Sequence, residues 1–154
     1  MGGGSIFDSS LSTRGGRANF VTAKDIASGD SLAKQILGEM KTEGIKFSKK
    51  DIVFAAKLKN GKKVFLEKNA AEHIVQRHAK QFEMTHKVKS TEIPNLLKET
   101  ISKGQLVKSY RHDSGGKVGY RSVYYYKGQY TVVYGIATNG YINTAFPRPF
   151  KGGE

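Results

Sequence analysis

The sequence predicts an α+β fold: N-terminal helices packed on an antiparallel sheet of about four to five strands. Three observations predict it. Apolar residues recur at helical spacing up to Lys103, Asn60-Gly61 marks a hairpin between two β-prone runs, and beyond Gly104 alternating runs are separated by short polar turns. Helices followed by a run of strands, rather than a regular alternation of the two, place the helices together on one face of an antiparallel sheet.

Residues 1–21 are rich in Gly and Ser and read as a linker or poorly ordered arm, with Met1-Gly2-Gly3-Gly4-Ser5 as a flexible junction to something larger. Asp30 is a good N-cap for a helix through Lys41, whose buried stripe is Leu32, Ile36, Leu37 and Met40 and which Gly44 ends. Ile52–Leu58 and Lys63–Glu67 flank the Asn60-Gly61 turn as paired strands. Asn69 is expected to cap a helix over 70–82, and Ser90 or Thr91 a second one reaching Lys103. Pro94 falls in that helix's first turn, where proline is tolerated, and Ile93, Leu96, Leu97 and Ile101 form its buried face. Strands are expected at Leu106–Arg111, Tyr120–Tyr126, Tyr130–Ala137 and Tyr141–Phe146. The chain thus divides into an N-terminal linker and helical segment, 1–49, suited to delivery, and a functional domain, 50–150.

Charge narrows the partners. Lys and Arg number 26 against 13 Asp and Glu, a formal net charge of +13, which attracts a polyanion or an acidic protein. With no cysteine, disulfides, thiolate zinc sites and thiol nucleophiles are excluded. No stretch approaches the roughly 20 apolar residues that span a bilayer, and the N-terminus lacks the charged-then-apolar signal pattern.

The segment Ala71-Glu72-His73-Ile74-Val75-Gln76-Arg77-His78 concentrates phosphate-binding and proton-transferring groups. His73 and Arg77 share a helix face, whereas His78 lies about 140° round from His73. The metalloprotease pattern sets two histidines four apart, so a spacing of five argues against a metal, and no cofactor is expected. His86 and His112 fall in expected loops and read as solvated. After Asp113 the only acidic residue is Glu154, while Lys117, Arg121, Lys127, Arg148 and Lys151 are interleaved with tyrosines. Such a sheet can neutralise phosphates and stack unpaired bases. Strand alternation sets Tyr120, Ser122, Tyr124 and Tyr126 on one face and Arg121, Val123 and Tyr125 on the other. Late on the last strand, Asn143 and Thr144 should face opposite ways, with the Thr144 hydroxyl able to hold a phosphate oxygen.

The order of these pieces, with Lys-Lys-Val-Phe-Leu-Glu leading into His-Ile-x-x-Arg-His and a closing Thr-Asn-Gly-Tyr-Ile-Asn-Thr-Ala-Phe-Pro, resembles the barnase–EndoU–colicin–RelE-like (BECR) ribonuclease superfamily, in particular its toxin and phage-associated branches, over about residues 50–150. The resemblance implies a cleft on the sheet, RNA as substrate with tRNA foremost, and metal-free cleavage to a 2′,3′-cyclic phosphate. It also implies the C-terminal toxin of a contact-dependent growth inhibition or polymorphic toxin system. Such a domain is secreted or delivered within a larger toxin, acts as a monomer in the target-cell cytoplasm, and is neutralised by a cognate immunity protein, here expected to be acidic. His73, Arg77 and His78 match the family's catalytic helix and Thr144 its final-strand hydroxyl; Arg121 and Tyr124 are additions from the strand pattern. Either His73 or His78 is the expected base, with the other histidine or a tyrosine as acid and Arg77 and Arg121 on the phosphate. A clear two-histidine-plus-lysine signature of the EndoU branch is missing. The competing expectations are a non-enzymatic nucleic-acid-binding module and a toxin that attacks NAD. A metal-dependent DNase is disfavoured by the scarcity of carboxylates in the C-terminal half.

Overall fold

The computed structural model describes residues 13–14 and 17–149, with side-chain environments from residue 19 onward. Most of the expected N-terminal linker, and Lys151 and Glu154, lie outside the described residues. The fold is α+β; among the described residues it has four α-helices and two larger antiparallel sheets, of three and four strands.

The N-terminal elements are strands β1 (Thr13–Arg14), β2 (Arg17–Ala18) and β3 (Phe20–Thr22), then helices α1 (Ala23–Ala27) and α2 (Ser31–Thr42). As the sequence predicts, Asp30 caps α2, accepting from the amides of Leu32 and Ala33 at 3.0 and 3.1 Å. A short 3-10 turn leads into strands β4 (Ile52–Lys57) and β5 (Lys63–Glu67), joined by the Asn60-Gly61 turn, with Gly61 at φ +85°. Helices α3 (Lys68–His86) and α4 (Ile93–Lys103) follow, then strands β6 (Gln105–Arg111), β7 (Gly119–Tyr126), β8 (Tyr130–Ala137) and β9 (Ile142–Arg148), which pair in sequence order.

Three expectations change. Helix α4 starts at Ile93 with Glu92 as N-cap, after a 3-10 turn at Ser90–Glu92, rather than at Ser90 or Thr91. β3, placed by sequence partly in the linker, pairs antiparallel with β4, so the three-stranded sheet runs β3-β4-β5 and the expected boundary near residue 50 crosses a shared core. Helix α3 begins at Lys68 with Glu67 as N-cap rather than Asn69, and runs on to His86.

Alternation along β4 and β5 sorts side chains into two apolar clusters. Ala55 and Phe65 turn toward α1 and α2, meeting Ile26, Leu32, Ile36 and Met40. Phe54, Val64 and Leu66 turn the other way, toward α3, α4 and one face of the four-stranded sheet, where Ile74, Phe82, Leu97, Tyr124, Tyr134 and Ala145 are buried. The two sheets meet where Phe65 donates its amide to the Gly140 carbonyl at 3.0 Å. Gly140 sits at φ +94°, and a Cβ there would lie 2.0 Å from the Lys63 carbonyl oxygen, so only glycine fits this junction. Beside it, Lys63 is 4% exposed and bonded to Glu39 at 3.0 Å and to Glu43. The bonds from Lys63, then Lys57, hold the Glu39 carboxyl down at about 2, from an ordinary 4.5. Burial works against the charged form of Lys63, but its bonds to Glu43 and Glu39 raise its pKa all the same.

Candidate active site

Residues directly paired across an antiparallel sheet share a face, so the register of the four-stranded sheet fixes what stands beside what. On the face opposite Tyr124 and Tyr134, Tyr110, Arg121, Gly135 and Thr144 form one row across β6, β7, β8 and β9, and Lys108, the buried Val123 and Val133, and Phe146 form the next. In β9 the register shifts between the pairs Gly135↔Thr144 and Ile136↔Ile142, which leaves Asn143 as the extra residue of a bulge. A Cβ on Gly135 would lie 2.7 Å from Thr144 Cγ2, 2.9 Å from Asn143 Oδ1 and 3.6 Å from Arg121 Nη1. Asn143 and Thr144 therefore converge with Arg121 over the bare backbone of Gly135, instead of facing opposite ways as simple alternation predicts.

Helix α3 runs against β9, burying Ile74 and Phe82 and bringing half-buried His78 over the sheet edge. His78 Nε2 stands 3.3 Å from the Thr144 hydroxyl. The His78 ring is 5.8 Å from that of Phe146, and the Arg121 guanidinium lies 5.2 Å from the same Phe146 ring. Three residues on from His78, so on the same helix face, Gln81 presents its amide oxygen to Nδ1. An amide oxygen only accepts, so Nδ1 is the donor to Gln81; in the neutral tautomer that matches this bond, Nε2 has the lone pair that can accept from Thr144. The imidazole thus turns Nε2 to the sheet, next to a hydroxyl and a guanidinium. Among the described residues no carboxylate stands against the Arg121 guanidinium, whose neighbour there is the Phe146 ring. Among the described residues no group of three or more His, Cys, Asp or Glu is placed to hold a metal ion.

Of the residues singled out from sequence, the fold brings His78, Arg121 and Thr144 together. His73 and Arg77 have exposed side chains on α3 and take no part in these contacts; the helix turns His73 about 140° away from His78. Tyr124 is corrected: it is 1% exposed and packs edge-on against Tyr134 at 5.5 Å, in the core on the opposite face from Arg121. The reason lies in the pleat, which turns Tyr124 inward whenever Arg121 faces out. His86, read as solvated, is half-buried at the end of α3; its Nε2 lies 3.1 Å from the Thr131 carbonyl and 3.2 Å from the Thr131 amide. His112 is exposed, as expected. Sequence reasoning passed over Gln81, Gly135 and Phe146. Their signals were available: an i+3 partner for a histidine, a lone glycine inside a strand, and an aromatic two residues from Thr144.

Compared with models of known families and with curated protein sequences, the chain matches none.

Proposed function

We propose that the chain is a metal-independent endoribonuclease of the BECR kind, the toxic domain of an interbacterial toxin, cleaving RNA (tRNA foremost) through attack of the ribose 2′-OH. The observation that supports this reading is the convergence of His78 Nε2, the Thr144 hydroxyl and the Arg121 guanidinium beside Gly135, on the face of the sheet opposite Tyr124 and Tyr134. Each group has a task in the chemistry. His78 takes the 2′-OH proton. The O2′–P bond forms as the P–O5′ bond breaks, and the leaving oxygen takes a proton from solvent. Arg121 binds two phosphate oxygens at once and Thr144 turns its hydrogen to one of them, stabilising the charge that builds on phosphorus. The product ends in a 2′,3′-cyclic phosphate. The net charge of +13 supports both an RNA substrate and an acidic immunity partner whose association slows as salt rises. Delivery within a larger toxin, action in the target-cell cytoplasm and a monomeric state belong to the same proposal.

The test is total bacterial RNA incubated with the purified chain in EDTA, beside His78→Ala and His73→Ala. The wild type should release discrete fragments with cyclic-phosphate ends. His78→Ala should slow cleavage roughly 10²–10⁴-fold, the range of one general base, while His73→Ala stays near the wild-type rate. RNA that is bound but left intact by the wild type would overturn the proposal in favour of a binding module. Intact RNA with consumption of NAD would favour the cofactor-attacking alternative.

A further inference from the structure

Next to Arg121 the sheet opens into a cleft of about 750 Å³. On one side stands the loop after β6, with His112, Lys117 and Val118; on the other is the β8–β9 turn, with Asn139, and the bulged Asn143. The floor is the backbone of Gly119 and Ala137, which pair across β7 and β8 one same-face row beyond Arg121 and Gly135. Neither carries a side chain large enough to fill the space above it. The walls are preformed, since His112 donates its amide to the Gly119 carbonyl at 2.9 Å and Ser114 and Lys117 bond to each other across the loop tip.

We infer that this cleft is a base subsite, taking the purine or pyrimidine of the nucleotide whose 3′-phosphate sits on Arg121 and Thr144; the inference rests on the ribonuclease reading above. Same-face rows of a strand are about 7 Å apart, which matches the reach from a phosphate to the base of its own nucleotide. A floor with no side chain larger than a methyl and the exposed Val118, 39% accessible, suit the faces of a planar ring. Amide side chains suit its edge, because each offers both a donor and an acceptor. The Asn139 side-chain oxygen is occupied by the Tyr141 amide at 3.0 Å, which leaves its NH₂ to donate, whereas Asn143 can present either end. The base edge therefore meets a fixed donor and an adaptable group, the basis for preferring some bases over others.

The experiment is an NMR titration of the whole chain with inorganic phosphate and, separately, with each of the four nucleoside 3′-monophosphates. Phosphate should shift the amides of Arg121, Gly135 and Thr144. At least one nucleotide should in addition shift Gly119, Ala137 and Asn139, and bind at least about tenfold more tightly than phosphate. Ala137→Phe, which fills the cleft, should remove that extra affinity while phosphate binds as before, so phosphate also reports that the variant is folded. Val118→Ala, on the exposed loop, should weaken the preferred nucleotide roughly threefold. If phosphate binds but no nucleotide binds more tightly or reaches the cleft, the base subsite is overturned and the phosphate site stands. If neither phosphate nor nucleotide binds, both readings fall.

Discussion

Gly135→Ala tests the site at its tightest point. The added methyl would lie 2.7 Å from Thr144 Cγ2 and 2.9 Å from Asn143 Oδ1. Carbon atoms pack at about 3.5–4.0 Å, so Thr144 must retreat by roughly 1 Å or rotate about χ1. Either response carries its hydroxyl off His78 Nε2, which at 3.3 Å is already near the limit of a hydrogen bond. A misplacement of about 1 Å in a reacting constellation costs on the order of 10²-fold in rate, and that is the loss expected when a fluorogenic RNA oligonucleotide is cleaved under single-turnover conditions. Only side-chain ends are displaced, so the stability cost should stay within about 1–3 kcal/mol and the variant should remain folded. Thr144→Ser supplies the decisive control. Serine keeps the hydroxyl and lacks Cγ2, so the closest contact disappears; Gly135→Ala with Thr144→Ser should recover most of the lost rate, and Thr144→Ser alone should cost little. Wild-type cleavage by Gly135→Ala, or no recovery in the double variant, would refute the reasoning.

Gly140→Ala should destabilise the chain by about 2 kcal/mol or more, because the residue needs positive φ and its Cβ would meet the Lys63 carbonyl at 2.0 Å; an unchanged urea midpoint would contradict this. Acid should weaken the fold through Glu39, whose carboxyl is held at about 2 against an ordinary 4.5, chiefly by Lys63. A carboxyl lowered in the folded state stabilises fully above its unfolded value and loses that contribution as pH falls from 4.5 toward 2. Urea melts across that window should show a steeper loss for the wild type than for Lys63→Met, and parallel curves would dismiss the role of the ion pair.

Much of the fold is legible because it is local. Asp30 capping α2, the Asn60-Gly61 turn and the helical stripe of α4 each need only a few neighbouring residues, and each stands where the sequence sets it. What was not legible depends on distant partners. The three residues of β3 are too few to declare a strand by themselves and become one by pairing with β4. The last turn of α3 is held by Phe82 in the core and by His86 against the Thr131 backbone, contacts that helix spacing does not reveal. In β7 the period of two separates Tyr124 from Arg121 correctly, but tyrosines occur on both faces and Val123 shares the face of Arg121, so period alone does not tell which face is inside. The bulge at Asn143 breaks that period without leaving a compositional mark, and the convergence with Thr144 is its consequence.

The same alternation explains how the candidate site and a core coexist on so few strands. Ser122, Tyr134 and Ala145 form an inward row; one residue along, Arg121, Gly135 and Thr144 form the outward one. A slip of one residue in any strand would bury the guanidinium and expose Tyr134, whose ring is wholly buried and whose hydroxyl donates to the Leu97 carbonyl at 3.1 Å. The register is therefore held by the core, and the outward row inherits its precision without contributing to it. Substitutions at Arg121 or Thr144 should on that account remove activity with little loss of stability, whereas substitutions at Tyr134 or Gly140 should act through the fold and reach the site only secondarily.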